Sequence, residues 1–396
     1  MIFNTAWFVF FFPVVIALLW VIPGRLPRFY FLLAASAVFH WHFAGPAGVA
    51  PIIVMALAVF GVAMRLEDAQ GPARKRWYAA GVLIPAAGLC WYKYRVFFLT
   101  SVMAGLPALK PGLQGWAQAS AMPLAISFFT FEFVHYLTDI YRGGRAIRRA
   151  DHFALFCIYF PSIVSGPIKR YERFVPQIEQ GLEHPFHGKT LEGFAQILLG
   201  FFKKMVVADN VAAVIGMMDA RGDWRAWHVA ALMVLQSVHI LFDFSGYSDI
   251  AIGLSKVIGL DLPANFNFPY VAANIQDFWR RWHMSLSSWI RDYIYIPLGG
   301  SRQGFWRKSF NGLAAMALCG LWHGAAWHFV VWGIYHGLGM AAHGVYRSRW
   351  PDFGKGSRLY LLGAHALTLA FVAYGWLIFF YPLDRVAFLT RCLFRS

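Results

Sequence analysis

A histidine lies inside one of the most apolar stretches of this chain. His323 occurs in the segment Phe310–Gly324, whose only other ionisable side chain is the thiol of Cys319. An imidazole in a bilayer-spanning helix is costly unless it lines a cavity or meets a polar partner, so such a residue is by default a candidate functional residue. Histidine is also the side chain best suited to proton transfer near neutral pH. The sequence therefore offers His323 as a general base or as part of a proton relay.

Two other ionisable residues lie close to apolar segments. His283 falls in a tryptophan-rich polar region, which we predict to be a helix at the cytoplasmic interface. Asp243 ends an apolar span, and the run Ser245–Ser248 that follows is expected to break the helix. A helix that starts at Lys308 rises about 22 Å before it reaches His323. We therefore expect His323 deep in the membrane, His283 near the cytoplasm, and a path that joins the two.

Each candidate also has a purely structural explanation. A histidine in a tryptophan-rich helix is often a hydrogen-bonded packing residue, and this chain has 14 histidines. Asp243 could pair with an arginine of the next segment, or act as a relay carboxylate of the kind seen in proton-coupled transporters. Cys319 lies one helical turn before His323, which is the spacing of a Cys–His pair, but buried cysteines are usually inert. His323 and His328 are off the register of one helix face, so we predict no metal site.

The composition indicates a membrane protein. Of the 396 residues, 59% are hydrophobic and 14% are charged, whereas soluble domains carry about 25% charged residues. The 38 phenylalanines and 17 tryptophans leave too little polar surface to cover a water-facing globule. We therefore predict an all-α, polytopic integral membrane protein with roughly 10–12 transmembrane or re-entrant helices around a central channel.

The basic residues indicate topology rather than nucleic-acid binding. The formal net charge is +16, but the lysines and arginines fall in short runs between apolar segments. With the N-terminus outside, loops richer and poorer in positive charge alternate as the positive-inside rule requires, with some contact to anionic membrane lipids. The spans and turns expected in this part are Ala6–Pro23, a turn at Phe43–Val49, Ala50–Met64, an exit near Lys93 and Arg95, and Met122–Tyr141.

The pattern becomes irregular after the fifth span. Phe153–Val164 is short and is interrupted by Pro161, which is typical of half-spanning elements that line an enclosed cavity. Lys203 and Lys204 interrupt Leu191–Val207, so we expect this stretch near an interface. The later stretches that can span are Ala230–Phe244, Phe310–Gly324, Trp327–Val345 and Leu359–Phe380. We expect one integral-membrane unit, 1–396, with N-terminal helices in 1–150, a core in 151–345 and a C-terminal helix and tail in 346–396.

The most polar region lies between Asp261 and Lys308. Its apolar residues recur at helical spacing, which predicts a single amphipathic helix along the cytoplasmic interface that ends at Pro297–Gly300. The apolar positions are Trp282, Leu286, Trp289, Ile290 and Tyr293.

Several sequence runs closely resemble the membrane-bound O-acyltransferases. The runs are Phe242–Gly253, Asn265–Asn267, Trp279–Ser287, Arg291–Tyr295, Leu298–Gly300 and Leu321–Gly324, with Ile126–Phe131, Tyr141–Gly143 and Ser165–Ile168 upstream. The chain is most similar to the bacterial branch that O-acetylates alginate and peptidoglycan and D-alanylates teichoic acid. The opening Met1–Phe3 and the element Leu298–Gly300 favour the O-acetylation side.

The resemblance implies a many-helix fold in which a cytoplasmic funnel and an outer depression meet at a narrow channel. It places the catalytic histidine at His323 and the second characteristic histidine at His283. It implies no bound cofactor, but an acyl donor on the cytoplasmic side, acetyl-CoA or an acylated carrier protein. The residues expected at the donor site or along the channel are Arg280, Arg281, Trp282, Asp243, Tyr247, Asn265, Asn267, Ser285, Arg291, Asp292 and Trp322.

Within this set the residue types suggest different roles. We expect Arg280 and Arg281 to help His283 form the donor-facing mouth, because guanidinium groups suit phosphate recognition. Asp243, Asn265 and Asn267 suit hydrogen bonds that hold the channel's architecture.

The resulting hypothesis is an enzyme of the bacterial inner membrane that passes an acetyl group to a hydroxyl of an exported polysaccharide, directly or through a periplasmic acetyltransferase or esterase-like partner. Many O-acetylation members extend beyond the equivalent of Phe380, and what that extension contributes is expected to be absent here or supplied by another protein. The alternatives are D-alanyl or other acyl transfer from a carrier protein, a proton-coupled transporter or flippase that uses His323 and Asp243, and a non-catalytic scaffold.

Overall fold

The structure is a computed structural model, and it describes residues 2–118, 121–183, 188–354 and 356–394. Every regular element in these ranges is a helix, which confirms the predicted all-α fold. Four helical stretches are long and apolar enough to cross a membrane, namely Arg25–Asp68, Gly71–Gly105, Ala226–Ile258 and Arg358–Phe380. The other helices of the described residues are shorter or less apolar, so the number of ten to twelve membrane elements stays a prediction.

In chain order the α-helices are α1 (Ala6–Val21), α2 (Arg25–Asp68), α3 (Gly71–Leu89), α4 (Arg95–Gly105), α5 (Lys110–Leu113), α6 (Ile126–Tyr141), α7 (Ala150–Ile158), α8 (Tyr171–Gly181), α9 (Thr190–Phe201), α10 (Asp209–Asp219), α11 (Ala226–Ile258), α12 (Ile275–Arg281), α13 (Met284–Ile290), α14 (Gly304–His323), α15 (Trp327–Arg349), α16 (Arg358–Phe380) and α17 (Leu383–Leu393). Short π-helical segments continue three of them, at Cys90–Tyr94, Phe202–Ala208 and Arg291–Tyr295.

The chain folds into two compact units. One consists of Met1–Leu198 and Asp249–Pro263, and the other of Leu199–Ser248 and Ala264–Ser396. Both histidines singled out in the sequence belong to the second unit. The finer division at residues 150 and 345 stays a prediction.

In the first unit, α2 doubles back on itself at Gly45. This glycine has φ +62°, a left-handed conformation that interrupts the helix before Pro46. Near one end of α2 the Tyr30 hydroxyl donates to Asp151 (3.0 Å), and near the other end Glu67 pairs with Arg148 (2.7 Å). Since both ends of α2 reach the same short segment, the basic loops that flank it lie at one end of the unit. Which face of the membrane this end meets stays a prediction.

Two predictions about helix ends in the first unit concern the segments near Lys93 and Pro161. At the predicted exit near Lys93 and Arg95, helical structure continues from Gly71 to Gly105 and Lys93 donates a hydrogen bond to Ser127 (2.9 Å). Where this stretch leaves the membrane stays a prediction. The predicted break before Pro161 is confirmed, since α7 ends at Ile158 and only a 3₁₀ turn follows.

In the second unit, α14 and α15 form a closely packed helical hairpin, and the turn between them follows His323. A methyl group added at Gly333 would lie 2.1 Å from the Met316 carbonyl oxygen, and one added at Gly320 would lie 2.1 Å from that of Phe329. Small residues let the two backbones approach as they do in membrane helix pairs. Because α14 ends at His323 and α15 begins at Trp327, the imidazole lies at the tip of this hairpin.

Helix α16 is held against α10, α11 and α17 by an apolar cluster and by polar contacts. Tyr381, just after α16, donates a hydrogen bond to Asp219 (2.7 Å) and accepts one from Gln236 (3.1 Å). The buried members of the cluster are Ile215, Val229, Leu232, Leu377, Leu389 and Cys392. These contacts fix the end of α16, which matters for the site described below.

The close approach of α14 and α15 predicts that alanine substitutions at two glycines differ sharply in their effect on stability. We expect Gly333→Ala to lower the free energy of unfolding by about 1–3 kcal/mol, because the added methyl meets a backbone carbonyl that cannot move aside. Gly312→Ala in α14 is the matched control, since a methyl there meets nothing within 4 Å and should be neutral or stabilising. Thermal unfolding in detergent measures both, and equal stability of the two variants would contradict this packing.

Candidate active site

The polar region between α11 and α14 is not one interfacial helix. It consists of α12 and α13, which are separated by Trp282 and His283, and His283 has φ +43° in the left-handed region. The prediction of a single amphipathic helix is therefore wrong. The physical reason is that Trp282, Leu286 and Trp289 are buried within the protein, each under 4% exposed, and do not form an open apolar face.

Asn265 fixes the break between α12 and α13. Its side-chain nitrogen donates to Ser248 of α11 (3.1 Å), and its side-chain oxygen accepts from the Ser285 hydroxyl (2.6 Å). Its backbone carbonyl also accepts from the Met284 amide (2.9 Å). Asn265 is buried, so these bonds satisfy groups that water cannot reach. They hold the first turn of α13 directly after His283.

The His283 imidazole is held among aromatic rings. It is 2% exposed and lies 4.6 Å from the Phe244 ring and 6.3 Å from the Trp322 ring, measured between centroids. Its Nδ1 is buried without a hydrogen-bond partner among the described residues. Burial lowers the pKa of His283 well below its ordinary value, and a positive charge on His323 lowers it further. Burial therefore favours the neutral form of the His283 imidazole.

His323 is half-buried at the end of α14, where three aromatic rings surround it. The centroid distances are 4.9 Å to Trp322, 5.2 Å to Trp332 and 5.1 Å to Phe379.

The structure brings the two histidines together. Both imidazole rings contact the Trp322 ring, with centroid distances of 4.9 Å for His323 and 6.3 Å for His283. The expected separation of His283 from His323 is wrong, because the break after α12 carries His283 into the protein interior. The position of either histidine relative to the cytoplasm stays a prediction. The site is one cluster built from α11, the α12–α13 break, the α14–α15 hairpin and α16.

A cavity of about 430 Å³ runs along α14 toward this cluster. Three exposed basic residues, Arg280, Arg291 and Lys308, line its mouth. Its inner wall is mostly apolar and ends at Cys319, one helical turn before His323. The apolar lining residues include Trp279, Leu286, Ile290, Ala315 and Met316. The cavity thus combines a cationic entrance with an apolar interior.

The remaining residues predicted for the site have structural contacts. Arg281 pairs with Asp277 (2.9 Å) and its carbonyl accepts from the Asn267 amide (3.0 Å). Asp292 pairs with Arg291 (2.8 Å), which leaves other nitrogens of that guanidinium to face the cavity mouth. Two further predicted residues, Trp282 and Tyr247, are buried in the second unit, the tryptophan 4.9 Å from the Trp376 ring. In the described ranges, no three His, Cys, Asp or Glu side chains form a potential metal site.

Asp243 lies in the middle of α11 and not at the end of a span. The predicted break at Ser245–Ser248 is wrong, because Gly246 packs α11 closely on the segment around Gly200, where an added methyl would lie 2.8 Å from a carbonyl oxygen. This approach brings Lys204 to Asp243 (2.6 Å), and Lys204 also reaches Asp209 (2.7 Å). The expected arginine partner is thus a lysine of an earlier helix.

Sequence reasoning missed several residues of this site. Trp332 and Phe379 contact His323, and Lys308 lines the cavity mouth. The small residues Gly320 and Gly333 were a usable signal for Trp332, because they indicate a tight hairpin that places α15 beside His323. Phe379 has no local signal, since α16 reaches the site only through tertiary packing.

Comparison with known proteins gives consistent matches. The model of the membrane-bound O-acyltransferase family matches residues 149–383. A probable alginate O-acetylase of Azotobacter vinelandii is 34% identical over 385 residues, which is 96% of this chain and 75% of the relative. A peptidoglycan O-acetyltransferase of Helicobacter pylori is 32% identical over 83% of this chain and 67% of its own length. A teichoic acid D-alanyltransferase of Bacillus subtilis is 32% identical over 65% of this chain and 68% of its own.

The left-handed backbone at His283 predicts that glycine is more stabilising than alanine at this position, which reverses their usual order in a helix. We expect His283→Gly to be more stable than His283→Ala by about 1 kcal/mol, because alanine pays a steric cost in the left-handed region that glycine avoids. At Ser287, inside α13, the order should be the usual one, with alanine more stable than glycine. Thermal unfolding of the four variants checks both orders, and alanine above glycine at both positions would exclude the left-handed conformation at 283.

Proposed function

The chain belongs to the membrane-bound O-acyltransferase family and is an acyltransferase, and on this premise we propose that it transfers an acetyl group from a cytoplasmic thioester to a hydroxyl of an exported polysaccharide, with His323 as general base. The observation that carries the proposal is the position of His323. Its half-buried imidazole lies one helical turn beyond the inner end of a cavity whose mouth is basic.

The reaction proposed at His323 is direct acyl transfer. His323 removes the proton from the attacking hydroxyl, whose oxygen forms a bond to the thioester carbonyl carbon. The carbon–sulfur bond breaks, and the imidazolium returns its proton to the departing thiolate. The products are an ester and a free thiol, so the enzyme is regenerated in each cycle. The His283 ring also contacts Trp322. In its neutral form, His283 is proposed to position the reactants without adding a second positive charge near His323.

The cavity suits the phosphopantetheine arm that coenzyme A and acyl carrier proteins share. From Lys308 to Cys319 the helix rises about 17 Å. An extended phosphopantetheine arm has roughly the reach of four to five extended residues, about 15 Å. Neither Arg280 nor Lys308 has an acidic partner among the described residues, so both can bind a phosphate at the mouth. The thioester would then lie near Cys319, next to His323.

The acceptor and the membrane arrangement follow from the relatives and the charge pattern. We take the acyl group as acetyl because the more extensive matches are to proteins named for O-acetylation. By the positive-inside rule the basic loops face the cytoplasm and the N-terminus lies outside, in the inner membrane of a bacterium. The acceptor is a cell-envelope polysaccharide, acetylated directly or through an extracytoplasmic acetyltransferase or esterase-like partner.

Membership of an acyltransferase family argues against the alternative in which His323 and Asp243 form a proton relay in a transporter or flippase. The Asp243 carboxylate is engaged in an ion pair with Lys204. D-alanyl transfer differs from the proposal in the acyl group and in its carrier-protein donor, and the assay described next distinguishes the two by the donor that is used.

Removal of the His323 imidazole should stop the chemistry without unfolding the protein. We expect His323→Ala to lower the rate of acyl transfer by about 10²–10⁴-fold, the contribution typical of a general base. The assay uses the purified protein in liposomes with labelled acetyl-CoA, acetylated carrier protein or D-alanylated carrier protein, and with alginate or peptidoglycan fragments. The matched control is His343→Ala, a half-buried histidine elsewhere on α15. Full transfer by folded His323→Ala would remove this residue from the mechanism.

The cavity mouth should control donor affinity. We expect the double variant Arg280→Gln, Lys308→Gln to raise the KM for acetyl-CoA about tenfold or more while kcat changes little, since the phosphate lies far from the reacting carbon. Rising salt should raise the wild-type KM toward the variant's value, because the charges are exposed. Arg302→Gln, an exposed arginine that does not line the cavity, is the control. An unchanged KM in the double variant would place the donor elsewhere.

A further inference from the structure

The space around the His323 imidazole is bounded by aromatic side chains. Under the proposed function, the attacking hydroxyl must lie within hydrogen-bond reach of this imidazole. The carbonyl carbon that it attacks is then only a few ångströms further away, so the acyl group must pack against the same rings. Trp322, Trp332 and Phe379 meet the imidazole at interplanar angles of 72°, 90° and 81°.

The three rings differ in how they border this space. Trp332 is 1% exposed and Trp322 is 8% exposed, so both are parts of the protein core. Phe379 is half-buried and packs against Phe329 (5.0 Å) and Trp332 (5.2 Å). Phe379 is therefore the most exposed of the three rings that contact the half-buried imidazole.

Phe379 is also held in place. It lies in the last turn of α16, where carbonyl groups lack partners within the helix. One of them, the Ile378 carbonyl, accepts a hydrogen bond from the His328 ring (3.2 Å). Three residues before Phe379, the Trp376 indole donates a hydrogen bond to the Tyr270 hydroxyl (3.2 Å). Since a phenylalanine side chain has only two rotatable bonds, this backbone anchoring leaves the ring little freedom to move aside.

We propose that Phe379 sets the length of the acyl group that the enzyme transfers. The ring occupies the volume that the third and later carbons of a longer acyl chain would need, whereas an acetyl group ends before it. This inference rests on the proposed function, because it requires an acyl thioester at His323. It assigns a specificity role to a residue that contacts His323 from a helix that contains none of the motif runs between Ile126 and Gly324.

The neighbouring residue provides a matched control. Phe380 is the next residue of α16, is also half-buried and contacts the Phe379 ring (5.3 Å). Its other ring contact is to His239 (5.8 Å), and not to His323. Truncation of Phe380 removes a similar aromatic surface without opening the space beside the imidazole.

The experiment measures kcat/KM for acetyl-, butyryl- and hexanoyl-thioesters, each as the coenzyme A and the carrier-protein form, with alginate and peptidoglycan fragments as acceptors. One methylene group in a tight apolar site discriminates by about tenfold or more. We expect the wild-type protein and Phe380→Ala to prefer acetyl over butyryl by at least that factor. Phe379→Ala should lower the preference about tenfold or more, chiefly through faster butyryl transfer, with Phe379→Leu between.

The outcomes separate the two proposals. No acyl transfer by the wild-type protein from any thioester would overturn the proposed function itself. Acetyl transfer by Phe379→Ala with the wild-type chain-length preference would overturn the role of Phe379. If Phe379→Ala fails to fold, as judged by thermal unfolding, the smaller change Phe379→Leu decides, and an unchanged preference there overturns the role equally.

Discussion

The hydrogen bonds of Asn265 are the constraint on which the site depends. This one buried side chain joins α11, through Ser248, to the start of α13, through Ser285. An amide is suited to this position because it offers a donor and an acceptor at once. Loss of either partner would leave a buried polar group unsatisfied, at a cost of about 1–3 kcal/mol. The same bonds allow the chain to leave α12 and begin α13 without exposing backbone groups to an apolar surrounding.

The break that Asn265 stabilises decides where His283 lies. A continuous helix through 282–283 would keep this residue on the polar surface that the sequence pattern suggests. The left-handed backbone at His283 instead turns its imidazole toward Phe244 and Trp322. His323 follows Trp322 directly in the chain, and the α14–α15 hairpin positions both residues through glycines that have no local role in chemistry. Two independent packing devices therefore meet at one tryptophan, and neither alone would assemble the pair of histidines.

The sequence predicts which helical segments are present better than it predicts how they pack around the site. Apolar length and the motif runs identify the all-helical fold and the α14 and α15 segments. Local signals mislead where tertiary packing prevails. Ser245–Ser248 has the composition of a helix break, yet Gly246 serves close packing and α11 continues. The helical spacing of Trp282, Leu286 and Trp289 indicates one buried face, but a single sequence cannot tell a membrane surface from a protein interior. The role of Phe379 depends wholly on where α16 packs.

The enclosure of His323 bears on a problem that any such transferase must solve. A general base that activates a sugar hydroxyl can equally activate water, and hydrolysis of the thioester would waste the donor. Positioning of the two reactants must supply most of the rate beyond the contribution of the base, and it acts only on molecules that the site holds. Three aromatic rings contact the half-buried His323 imidazole and restrict access to it, and the cationic mouth of the cavity lies a helix length away. A hydroxyl bound in the remaining opening displaces the water that could compete with it. Under the proposed function, the rings would favour transfer over hydrolysis through the same contacts that are proposed to limit the size of the acyl group.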